Sequence, residues 1–253
     1  MSARPSRNRI VRGGLLLGLL ALAGCSRPPA AAGAAGPAST SAPAAASLTP
    51  RQVLERMVAL RAAQRYRDLP EFIAPGRGDT VVKFLIAVDH FLTANRHLCN
   101  WIRDNAGLGL SQTIDQAYVL DDLAVYAGED LGVFGRHIEL LETTIRGETA
   151  VVAYALGEQM PLRSARLARI DGNWRFDPGP GGELLPAAFD DLARGLELAL
   201  VDFQTGRVTS EELRGDPQVL IEKVRVHLRH GVNLLSKAAA TRLSAQAGSS
   251  GRG

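Results

Sequence analysis

The sequence predicts an α+β domain: a curved antiparallel sheet packed on long helices, with further helices at the C-terminal end. Three observations carry this. Apolar residues recur at helical spacing from Pro50 to Asp104, alternate from His137 to Asp177, and return to helical spacing after the Pro178–Gly182 break. Two short turns, Arg146-Gly147-Glu148 and Asp171-Gly172, each join two strand-like runs, four in all, so the strands of each hairpin pair antiparallel. Leu48 to Leu243 is long enough, at roughly 195 residues, to bury one substantial core.

Ahead of that domain the chain reads as an address. Arg4, Arg7, Arg9 and Arg12 come with no acidic residue, and Gly13 to Ala23 is almost wholly apolar. The apolar run of about 11 residues falls short of the roughly 20 a spanning helix needs. Charge, then a short apolar core, then small residues predicts a secretory signal peptide over residues 1–24. Leu22-Ala23-Gly24-Cys25 closes that core and resembles the lipobox of bacterial lipoproteins. The resemblance implies that Cys25 carries a diacylglycerol on its sulfur, that the chain is cut before it, and that the new amino group is acylated. It also implies, with Ser26 rather than Asp in the next position, an outer-membrane anchor facing the periplasm. At about 0.8 kcal/mol per buried CH2, one chain holds marginally and two or three hold firmly.

Cleavage changes the charge. Removing four of the 29 basic residues and none of the 26 acidic ones turns a net +3 into about −1. A basic patch for nucleic acid is therefore not expected in the folded domain. With Cys25 lipidated, Cys99 has no partner for a disulfide, and its apolar helical surroundings predict a buried, inert thiol. Residues 27–47 are Ala, Pro, Gly, Ser and Thr with hardly a large apolar side chain, which predicts a disordered tether. Its mean span would be about 25 Å, and about 70 Å fully extended. Residues 244–253 are a second small polar segment, predicted as a disordered tail.

Within the domain, Thr49-Pro50 starts a helix, with Thr as cap and Pro in the first turn. Val53, Met57, Leu60 and Gln64 continue it, with Leu54 and Arg61 beside them, until Asp68-Leu69-Pro70. Phe84, Val88, Phe91, Leu92, Leu98 and Ile102 give a longer helix over Thr80–Asp104, ended by Asn105-Ala106-Gly107. Leu110–Phe134 is the least legible part, with short helices near 112–120 and 121–126. The four strands follow, then helices over Leu184–Phe203 and Ser210–His230, the second capped by Thr209 or Ser210 with Glu212 nearby.

Two blocks carry a further resemblance. "LTPRQVLERMVALRAAQRYRDLPEFIAP" and "IRGETAVVAYALGEQMPLRSARLARIDGNWRFDPG" are similar to the first helix and closing strands of the NTF2-like, or cystatin-like, superfamily. That implies, over 48–182, a sheet wrapped on a helix with a pocket between them, and makes 183–243 a helical extension. The fold hosts isomerases, dehydratases, cyclases and non-enzymes, so it does not by itself assign an activity.

Candidate site residues are few. Asp89 as base, His90 or His97 as partner and Tyr118 or Tyr126 as proton donor form the sharpest catalytic reading. Seven residues, about 10 Å of helix, separate the two histidines, too far to share a metal or a proton. His227 and His230 are one turn apart but lack a third ligand. Arg163, Arg166 and Arg169 could line an anion site, and Trp174 suits the core of the sheet. No phosphate loop, nucleophile elbow, zinc-protease or dinucleotide motif occurs. The sequence thus predicts a lipid-anchored protein, without cofactor or metal, that binds a small apolar ligand or an envelope protein. The alternatives are an NTF2-like isomerase or hydrolase and a structural component of the envelope.

Overall fold

Thr49 opens the first helix, α1 (Pro50–Ala62), through a reciprocal cap. Its side chain accepts from the Gln52 backbone, and the Gln52 side chain accepts from the Thr49 N–H at 2.9 Å. The computed structural model describes residues 48–118, 129–135, 138–156 and 162–250. The expected signal peptide, Cys25 and the tether lie outside the described residues, as does the 121–126 helix. The residues 45–253 form one compact unit.

Helix α1 stops at Ala63, and Gln64 takes up a left-handed conformation (φ 55°). A 3-10 turn, Tyr66–Phe72, follows with Pro70 inside it. The long helix α2 (Gly78–Ala106) agrees with the predicted one to within two residues and ends at Gly107 (φ 112°). Helix α3 (Leu108–Tyr118) comes next, and after it the short α4 (Glu129–Gly132).

The four predicted strands form: β1 (Ile138–Arg146), β2 (Thr149–Leu156), β3 (Arg163–Ile170) and β4 (Asn173–Asp177). They pair in sequence order, all antiparallel. Positive φ at both Asp171 and Gly172 gives the β3–β4 turn the twist that a two-residue hairpin needs. Alternation sends Ala150, Val152, Tyr154, Leu156, Ala165, Leu167 and Phe176 into the core. Ile73, just past the 3-10 turn, bridges to Phe176 in parallel and ties the first helical segment to the sheet edge.

Helix α5 (Leu185–Gln204) packs along α2 and buries Leu185, Phe189, Leu192, Leu196 and Phe203. Phe189 meets Phe84 and Phe91 edge to face, with centroids 5.4 and 6.0 Å apart. The helix predicted over Ser210–His230 is two, α6 (Ser210–Gly215) and α7 (Pro217–Ser250). Pro217 forces the break, because the residue before a proline is driven extended, and Asp216 lies at φ −145°, ψ 106°. Residues 244–250, expected in the tail, continue α7. Within this C-terminal part α5 and α7 pack closely. Gly195 of α5 lies so close to α7 that a Cβ there would sit 2.7 Å from the His227 carbonyl oxygen. The chain is α+β, with an open four-stranded antiparallel sheet and several helices, and the C-terminal helices share its core.

Candidate functional site

The last turn of α1 and the middle of α2 face each other across an open cleft of about 380 Å³. Asp89, Leu92, Thr93 and Arg96 line it from α2, spaced to share one face of the helix. Val58, Arg61 and Ala62 line it from α1, and Gln64, Phe134 and Gly135 complete its rim. The volume lies within the range of small-molecule sites.

A closed polar network forms its floor. The Arg61 Nη2 donates to Asp89 Oδ1 at 2.8 Å, and the Tyr66 hydroxyl donates to Asp89 Oδ2. Arg61 Nη1 donates to the Phe134 carbonyl. The Arg61 side chain is 14% exposed and that of Asp89 32%, so this is a partly buried pair rather than a surface one. Burial, then the hydrogen bond to Asp89, pushes the Tyr66 phenol up to about 12. It stays protonated and donates. Thr93 spends its hydroxyl proton on the Asp89 carbonyl at 2.8 Å.

The predicted site residues separate. Asp89 lines the cleft. His90, one residue on, turns to α5, where Nε2 lies 2.9 Å from Glu197 Oε1 and Nδ1 3.4 Å from Asp190 Oδ1. His97 is exposed and lines no part of the cleft. Tyr118 ends α3, and Tyr126 is outside the described residues. The tyrosine that does reach Asp89 is Tyr66. Arg61 and Tyr66 escape sequence reasoning, and the one signal for Arg61 is a cation four residues past buried Met57 on the apolar stripe of α1.

The remaining candidates resolve into structural roles. His227 Nε2 and His230 Nδ1 each lie 2.9 Å from a carboxylate, Asp202 and Asp191 respectively, so each bridges α7 to α5 at its own acid and they share no metal. Among the described residues no group of three or more potential metal ligands converges. Strand alternation puts Arg166 on the face of β3 opposite Arg163 and Arg169. Arg169 lies over the half-buried Trp174, 5.9 Å from its ring centre. Cys99 is half-buried, and burial followed by the Asp115 carboxylate pushes its thiol up to about 11. Among the described residues no helix is long and apolar enough to cross a membrane.

No family model, curated protein or solved structure matches the chain.

Proposed function

We propose that the protein is a lipid-anchored envelope protein, held by acyl chains on Cys25, whose domain binds a small ligand in the α1–α2 cleft without transforming it. The observation that carries the binding reading is that both carboxylate oxygens of Asp89 are already engaged by donors of the protein itself. A general base needs a lone pair aimed at substrate. Here Arg61 occupies one carboxylate oxygen and Tyr66 the other. The pair builds a wall and leaves the rest of the cleft for contact. The lining mixes apolar Val58, Leu92 and Phe134 with polar groups, which favours an amphipathic ligand over the purely apolar one expected from sequence. The NTF2-like reading of the sheet and α1 stays part of this proposal. Tyr154, Leu167 and Phe176 are buried on the inner face of the sheet, and the cleft argued for here opens between two helices.

Two measurements test this. Organic extraction of the natively purified protein, followed by mass spectrometry, should yield a stoichiometric small molecule that Leu92→Trp removes by filling the cleft. The same molecule recovered chemically altered after incubation would sink the non-catalytic reading. Cys25→Ser should leave an unacylated, uncleaved precursor; a mature N-terminus elsewhere without acyl groups refutes the anchor.

A further inference from the structure

Resting on the binding reading, we infer that the cleft selects an amphipathic monoanion, a carboxylate on a short hydrocarbon, with Arg96 as its charge partner and Gln64 as its amide donor.

Among the described residues the charges of the cleft do not balance. Arg61 and Arg96 bring two positive charges, and Asp89 brings one negative. Arg61 and Asp89 are matched to each other at 2.8 Å. Arg96 lies seven residues, about 10 Å, along α2 from Asp89. Its neighbours one turn away on α2, Leu92, Thr93, Cys99 and Asn100, carry no acid. Among the described residues no carboxylate lies within ion-pairing distance of it. One guanidinium over an apolar wall calls for one negative charge, and a planar carboxylate meets a guanidinium through two parallel hydrogen bonds. A phosphate monoester, with nearly two charges at neutral pH, would leave one unmatched.

Gln64 supplies the independent observation. The turn that ends α1 needs a left-handed residue there, made by hydrogen bonds from the Gln64 N–H to Arg61 O and from the Arg65 N–H to Leu60 O, both 2.8 Å. Glycine is the usual residue at such a stop because any Cβ is strained there. The chain carries glutamine instead, on the rim of the cleft and within the same lining as Arg96. Its amide can donate to a carboxylate, which a glycine could not. The apolar tail then lies along Val58, Leu92 and Phe134.

The test is calorimetric titration of the purified full chain with octanoate, octanamide and octylammonium at low salt. Octanoate should bind about tenfold more tightly than octanamide, and octylammonium more weakly still. Arg96→Gln should bring octanoate down to the octanamide value, with the folded circular dichroism spectrum retained. Gln64→Gly should raise the melting temperature and still weaken octanoate several-fold, a split that a merely structural Gln64 would not give. Octanamide or octylammonium binding as well as octanoate overturns the monoanion inference and leaves the cleft a binding site. If none of the three binds and no small molecule copurifies, the binding reading falls and takes the inference with it.

Discussion

Replacing Asp89 with asparagine tests the network under the cleft most directly. The substitution keeps the shape and removes the charge that holds Arg61 and Tyr66 together. Exposed ion pairs contribute about 0–1 kcal/mol, and breaking a fully buried one costs about 3–5. At 14% and 32% exposure the Arg61–Asp89 pair lies between these limits. Losing one charge-assisted bond and weakening a second should cost about 2 kcal/mol. For a domain of this size that lowers the melting temperature by about 4–8 °C. Urea unfolding of the wild type, Asp89→Asn, Arg61→Met and the double variant gives the coupling, expected at about 1–2 kcal/mol. High salt should reduce it only in part, since partly buried pairs are weakly screened. A coupling under about 0.3 kcal/mol would refute the closed network. Asp89 would then be a free carboxylate in a cleft, and an acid–base role would have to be reconsidered.

Gly195→Ala should destabilise, because its Cβ meets backbone 2.7 Å away and α5 and α7 must part; the overpacking cost of about 1–3 kcal/mol exceeds the propensity gain of about 1. Gly109→Ala, in α3 with nothing within 4 Å, should raise the melting temperature, and a loss there with a gain at Gly195 would invert the argument. Cys99, with its thiol at about 11 rather than 9.0, should react with a disulfide reagent at pH 8 at least about tenfold more slowly than in the unfolded chain, its smaller thiolate fraction being partly offset by the greater nucleophilicity of a more basic thiolate; equal rates would mean an open thiol. Hydrogen bonds from His227 and Arg207 hold the Asp202 carboxyl below its ordinary 3.8, so its stabilisation is present above that pH and lost as pH falls through the lowered value. Asp202→Asn should therefore be less stable than wild type at pH 7, with the gap closing as the pH falls below 3.8; a gap constant with pH would show that the charge contributes nothing.

The sheet was legible because its signals are local. Asp171-Gly172 and Gly147 mark turns, and a period of two between them leaves one solution for which face is buried. The caps at Thr49 and Thr209 were legible for the same reason: each is complete within four residues. The break at Asp216-Pro217 was written in the chain as well, but Leu213, Leu220 and Val224 carry an apolar rhythm across it, and periodicity reads straight through a single proline. Residues 244–250 look like a tail by composition. They are helical because α7 enters that stretch already nucleated, and extending a helix is far easier than starting one. The cleft was the least legible feature. Tyr66 reaches Asp89 across 23 positions of chain, and Phe134 contributes a backbone carbonyl, which no side-chain pattern reports.

The division of α2 explains why Asp89 and His90, side by side in the sequence, do not act together. Successive helical residues point about 100° apart. The Asp89 direction meets the end of α1, and the His90 direction meets α5. On the α5 side, Phe84 and Phe91 hold Phe189, and His90 straddles Asp190 and Glu197. That side fixes α2 in place, and the opposite side is thereby free to present Asp89, Leu92, Thr93 and Arg96 as a rigid wall. A binding surface on a braced helix loses little conformational freedom when occupied, which favours affinity. The exceptions to rigid helix in the lining are Gln64, just past the end of α1, and Phe134 with Gly135, just past α4. Differences in ligand length should be accommodated at those two points, while the charge requirement stays with α2.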